Sequence, residues 1–173
     1  RVLPNMTVVV PADAFEAAEA LRALVLRQGP SYLRLGRGPT PTVYEEGFEY
    51  SLGRASTIRD GVDVTIISNG VMVALAAEAA KGLEDKGIDA RIIDMHTVKP
   101  IDVQCIVKAA RDTGAIVTAE EHSVIGGLGG AVSEVLSQNI PTPMQMVGVR
   151  DCFGESSRDY WALLSKHGLT PEG

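Results

Sequence analysis

Four short runs constrain this chain more than anything else in it: "DVTIIS" (63–68), "ARIIDM" (90–95), "AIVTAE" (115–120) and "MQMVGVR" (144–150). Each is apolar on both faces, so each needs cover on both sides if it forms a strand. The stretches between them have helical period. A helix over about 70–86 turns Val71, Leu75, Ala79 and Leu83 inward and stops at Gly87, with apolar Ile88 after it. Asp102 caps a second helix carrying Val103, Ile106, Val107 and Ala110, which Gly114 ends. A third carries Leu128, Val132, Val135 and Leu136, and a short one over 157–167 closes the chain. This alternation predicts an α/β fold, a mainly parallel sheet covered by helices on two sides.

The front of the chain does not fit that unit. "MTVVVPADAFEAAEALRALVLRQGPSYLRLGR" reads as one βαβ element. Thr7 to Val10 form a strand, and Asp13 with Glu16 three residues on is a capping-box pattern. Phe15, Ala18, Leu21 and Val25 then recur at helical spacing until Gly29-Pro30, and Ser31 to Leu35 form a second strand. Two strands and one helix cannot cover both faces of a sheet, so this is an edge of a larger domain. Residues 36–50, "GRGPTPTVYEEGFEY", have no sustained period and read as an interdomain linker.

Composition narrows the classes. A formal charge of −6 with no basic run argues against a nucleic-acid or anionic-membrane surface. No apolar stretch approaches the ~20 residues of a membrane helix. Cys105 and Cys152 stand apart, without metal-ligand spacing, as the reduced thiols of a cytoplasmic protein.

Three places have the residue types for chemistry. The first is "EEHSVIGGLGG" (120–130). Its glycines miss the dinucleotide fingerprint, because the sixth position from Gly127 is Val132, and they follow a late strand rather than the first. No Gly-Lys-Ser/Thr is present for a phosphate loop, and Glu120 and Glu121 would repel an anion at the following helix. Close helix–strand approach at Gly126 to Gly130 is the better reading. Second, Glu120 and His122 lie two apart on a strand end, hence on one side. They form either a catalytic carboxylate–imidazole pair or a structural one, and the lack of a nucleophile at recognisable spacing favours the latter. "DMH" at 94–96, before "TVKP", reads mostly as a turn. Third, Arg37 lies just past a strand's carboxyl end, where open α/β sheets place ligands, and a guanidinium suits phosphate. On composition alone it is a solvated arginine.

Five motifs occur in order: "LPNMTVVVPADAFEA", "GPSYLRLGRGP", "VKPID", "EEHSVIGGLGGAV" and "DCFGESSRDYWALLSKHGLTPEG". Together they resemble, from residue 3 to 173, the last part of a transketolase-type enzyme. The resemblance implies that residues 1–44 are the tail of a pyrimidine-binding domain, 45–50 a linker, and 51–173 a three-layer α/β/α C-terminal domain. That domain would hold a five-stranded mixed sheet with its first strand antiparallel. It implies a thiamine-diphosphate- and magnesium-dependent parent enzyme moving a two-carbon ketol unit between sugar phosphates. Its setting would be the cytoplasm and the pentose phosphate pathway. The fragment itself would bind no cofactor and would work in a homodimer or with a subunit carrying the diphosphate-binding domain.

The family's GDG…N magnesium motif is absent, and "RDG" at 59–61 falls in the wrong domain. Only Arg37 aligns with a functional position, the arginine that grips the sugar-phosphate tail. Deoxyxylulose-phosphate synthases share the "EEH…GG" turn and 2-oxo-acid dehydrogenase β-subunits share the fold, but "DCFGES" and "HGLTPEG" favour transketolase. A non-catalytic assembly domain is a further reading of the fragment alone. Ser157 stands where the family usually has glycine, which would alter the approach to the last helix.

Overall fold

The computed structural model describes residues 1–172 and contains two sheets. The strands are β1 (Thr7–Val9), β2 (Ser31–Leu33), β3 (Ser56–Arg59), β4 (Val64–Ser68), β5 (Ala90–Asp94), β6 (Thr97–Lys99), β7 (Ile116–Ser123) and β8 (Met144–Val149). The helices are α1 (Ala14–Leu26), α2 (Met72–Glu84), α3 (Val103–Thr113), α4 (Leu128–Asn139) and α5 (Tyr160–Lys166).

The larger sheet has the order β3-β5-β4-β7-β8. β3 runs antiparallel to β5 and the other pairs are parallel, which is the mixed five-stranded sheet expected above. Successive side chains on a strand face opposite sides, and the central strands show why both faces had to be apolar. Ile66 and Ile92 pack with Met72, Leu75 and Ala76 of α2 and with Leu164 of α5. Their neighbours Ile67 and Ile93 pack with Ile106 of α3 and Val132 and Leu136 of α4 on the other side. Three layers result.

The helix ends follow their sequence signals. Asp102 Oδ1 accepts from Cys105 N at 3.0 Å, and Gly87 and Gly114 both have positive φ, at 76° and 70°. Ile88 N donates back to Leu83 O at 3.0 Å, closing α2. Ser157 does not spoil the last helix. Its Oγ accepts from Asp159 N at 3.1 Å, and Asp159 Oδ1 caps α5 by accepting from Trp161 N and Ala162 N.

The smaller sheet departs from expectation in three ways. It has the order β2-β1-β6, so "TVK" is a strand running antiparallel to β1 rather than a turn. β6 belongs by sequence to the second unit and by hydrogen bonding to the first, which joins the two. The α1 stripe is the second departure: Phe15, Leu21 and Val25 are exposed, while Glu16 and Ala20 are buried. The 46–48 segment borders Phe15 and Ala18 only, Leu21 and Val25 stay exposed, and β2 is a bare edge. Third, the 43–50 segment is packed. Asp13 Oδ2 accepts from Val43 N and Tyr44 N at 2.7 and 2.8 Å, and Tyr44 stacks on Phe48 at 4.1 Å.

Candidate functional site

The glycine turn explains itself at the end of β7. Glu120 is buried, and its carboxylate accepts from Leu128 N at 2.7 Å and Gly129 N at 2.9 Å. Those are unpaired donors of the first turn of α4. Instead of repelling an anion from that helix end, Glu120 takes the anion's place. The glycines allow it: a Cβ on Gly127 would stand 2.1 Å from Glu120 Oε2, and one on Gly129 would stand 2.8 Å from Met146 Sδ. Close approach is the reason for this stretch.

His122 makes no hydrogen bond to Glu120 in this structure. Its Nδ1 lies 3.8 Å from Glu120 Oε2 and hydrogen-bonds Ser123 O at 2.8 Å, and the ring is half exposed. Both residues lie where the β7–β8 register shifts, between Ala119 and Ser123.

The crevice outside β4 and β7, where the strand order reverses, is the usual ligand position in an open α/β sheet. Here it is a cavity of about 100 Å³ lined by Arg1, Arg34, Asn69, Glu120, His122 and Leu128, among others. Its charges are already answered internally. Arg1 makes a bidentate contact with Glu134 at 2.9 and 2.8 Å, and Arg34 Nη2 donates to Glu121 O at 2.8 Å.

The most perturbed ionisable groups lie elsewhere, at the junction of the two units. Glu16 on α1 and Asp94 on β5 are both fully buried. Burial raises both carboxyls above their ordinary range, and Asp94's charge pushes Glu16 up further. At neutral pH the pair therefore keeps a proton. Tyr44 Oη donates to Asp94 Oδ2 at 2.8 Å, and Ala12 N donates to Glu16 Oε2 at 2.6 Å. Glu16 and Asp94 lie within side-chain hydrogen-bonding reach of one another, so the retained proton has an acceptor. The His96 ring lies under Tyr50 with centroids 4.5 Å apart, and burial holds its imidazole down at about 4, so it is neutral at pH 7. "DMH" is therefore not a simple turn: it supplies two members of this cluster.

Arg37 is exposed, four residues past the end of β2, and no ion pair or side-chain hydrogen bond engages it among the described residues. No group of three or more His, Cys, Asp or Glu among the described residues could hold a metal ion, and "RDG" lies at the end of β3 and in the turn after it.

With this geometry in hand, residues 53–173 match the family model described as "Transketolase, C-terminal domain". The chain belongs to the transketolase C-terminal domain family. Two relatives extend the likeness to the front of the chain. The 6-deoxy-6-sulfo-D-fructose transketolase subunit of Clostridium sp. (strain MSTE9) is 47% identical over 171 residues, 98% of this chain and 52% of that protein. A subunit of the apulose-4-phosphate transketolase of Phocaeicola vulgatus is 44% identical over 177 residues, 100% of this chain and 55% of that one. Among solved structures, a split-gene transketolase in an inactive beta4 tetramer aligns with a TM-score of 0.95 at 52% identity, covering 99% of this chain and 56% of that one. This transketolase-family chain thus spans about half the length of those relatives. No helix in its described residues is long and apolar enough to cross a membrane.

Proposed function

We propose that these residues are the C-terminal half of a transketolase subunit. With a polypeptide that carries the diphosphate-binding domain, it makes a thiamine-diphosphate- and magnesium-dependent enzyme. That enzyme moves a two-carbon ketol unit from a ketose phosphate to an aldose phosphate. The observation that carries this reading is the likeness to two transketolase subunits along nearly the whole of this chain and only half of theirs. The geometry agrees with it. The five-stranded sheet is covered on both faces, whereas the small sheet has a bare edge at β2 and an exposed apolar stripe on α1. Such a face is completed by more of a pyrimidine-binding domain and by the subunit that packs on it.

The chain's part in the reaction is binding and assembly rather than bond-making. Arg37 would grip the anionic tail of the sugar, remote from the reacting carbon, through a bidentate charge-assisted contact. Both relatives' names specify a sugar bearing a strong-acid anion, a sulfonate in one and a phosphate in the other. A contact made equally in ground and transition states acts on KM. In the complete enzyme, Arg37→Ala is expected to raise KM for a sugar phosphate by about 10–100-fold, with kcat within about threefold. An unchanged KM removes Arg37 from the site.

A further inference from the structure

The turn that carries Arg37 does not hold itself in place. Two groups from the C-terminal unit touch it. On one side of Arg37, Arg34 Nη2 donates to Glu121 O at 2.8 Å and Arg34 Nη1 lies 3.9 Å from Glu121 Oε2. On the other side, Gly38 lies close against ring atoms of Tyr160. A Cβ on Gly38 would stand 2.9 Å from Tyr160 Cδ1 and 3.1 Å from Cγ, well inside contact distance. Only glycine lets the backbone come this close to the ring.

Tyr160 and Glu121 are themselves neighbours. The ring is partly buried against the core that includes Leu164, and its buried hydroxyl lies near Glu121. Burial, and next the charge of Glu121, push the phenol's ionisation above its ordinary value. Tyr160 opens α5, where Asp159 caps the helix, and the ring packs edge-on to Trp161 at 5.4 Å. Arg37 thus stands between two residues, Arg34 and Gly38, that contact neighbouring residues of the C-terminal unit, while its own exposed side chain makes no ion pair or hydrogen bond among the described residues.

We propose that Tyr160 is a positioning residue for substrate binding: its ring is the floor on which the 34–38 turn rests, and with the Glu121–Arg34 contact it sets where Arg37 presents its guanidinium. The C-terminal domain thereby governs affinity for the sugar's anionic tail without touching the sugar. This inference rests on the reading of Arg37 given above. It also assigns work to "RDYW", a part of the last motif that the reaction otherwise leaves unused. Because the close approach of Gly38 is to ring carbons, the ring and not the hydroxyl is what acts on the turn.

The test uses the complete enzyme, with D-ribose 5-phosphate and D-ribose as matched acceptors that differ only in the phosphate. Tyr160→Ala is expected to raise KM for the phosphorylated acceptor about tenfold while kcat and the KM for ribose stay within about twofold. Tyr160→Phe, which keeps the ring, should restore KM to within about twofold of the parent. Gly38→Ala, which lifts the turn off an intact ring, should reproduce the Tyr160→Ala effect and keeps the test open if that variant fails to fold. In an Arg37→Ala background, Tyr160→Ala should add nothing, because the two act as a unit. An equal rise in KM for both acceptors, or no rise with either Tyr160→Ala or Gly38→Ala, overturns the inference. If Arg37→Ala raises KM and these variants do not, Arg37 keeps its role and Tyr160 loses it. If Arg37→Ala itself leaves KM unchanged, the underlying reading is what fails.

Discussion

Glu120 and Glu16 are two buried glutamates that sit a few residues from a helix start, and they behave differently. Glu120 lies within β7 with both oxygens answered by backbone N–H groups at the start of α4. Glu16 lies in the first turn of α1, with one oxygen on Ala12 N and its carboxyl within reach of Asp94 and near His96. A buried carboxylate with donors on both oxygens costs little, and one facing a second carboxyl costs much unless it becomes neutral. The first glutamate is therefore a fixed strut. The second is a proton store at the joint between the two units, where β6, the 43–50 segment and α1 meet.

Removing the strut should have the largest effect on stability. Glu120→Ala leaves two buried donors of α4 without acceptors and should cost about 3 kcal/mol, read as a lower urea midpoint with an unchanged slope. Gly127→Ala should approach that loss by driving the carboxylate off its donors, since the added Cβ would lie 2.1 Å from Oε2. If both variants melt like the parent, Glu120 is not holding the helix.

The joint should respond to pH instead. The folded pair binds its proton more tightly than the unfolded chain, because burial raises both carboxyls. Its contribution is fully present below the ordinary carboxylate range and is lost as pH rises through neutrality into the alkaline range, by at most about 1.4 kcal/mol per pH unit for one proton. Glu16→Gln should flatten that slope while changing stability at pH 6 by less than about 1 kcal/mol, since the amide can accept from Ala12 N and donate to Asp94. A slope that survives the substitution would place the proton elsewhere. Arg37→Ala should be the smallest structural perturbation of all, within about 0.5 kcal/mol, because the side chain is exposed and unpaired. Any larger loss of stability would show that Arg37 braces the fold.

The same contrast marks how far sequence reading reached. β4, β5, β7 and β8 were legible from their runs of apolar residues, and α2 and α3 because Gly87 and Asp102 punctuate them. β6 was not, since "TVK" has one fully apolar residue and its partner strand lies about ninety residues earlier. The face of α1 was misleading for a related reason: its stripe at Phe15, Leu21 and Val25 fits a surface that the described residues supply only in part, at Phe15. Glu120 was visible as a candidate, but its job depends on where α4 begins in space. The Glu16–Asp94–His96 cluster was invisible, because a helix, a strand and an aromatic-rich connector bring it together only in three dimensions. "DMH" beside an otherwise apolar strand was the available clue. Arg37 stood out only by resemblance, and the support from Tyr160 only once the turn was seen lying on its ring.

The central claim is that these residues bind and assemble while the cofactor-dependent chemistry resides in what they join. The direct measurement is ketol transfer in the presence of thiamine diphosphate and magnesium. It would compare the full polypeptide that bears these 173 residues, a polypeptide carrying the proposed diphosphate-binding domain, and the two mixed. Turnover in the mixture and in neither component alone is the predicted result. Turnover by this polypeptide on its own, or none from the mixture, would contradict it.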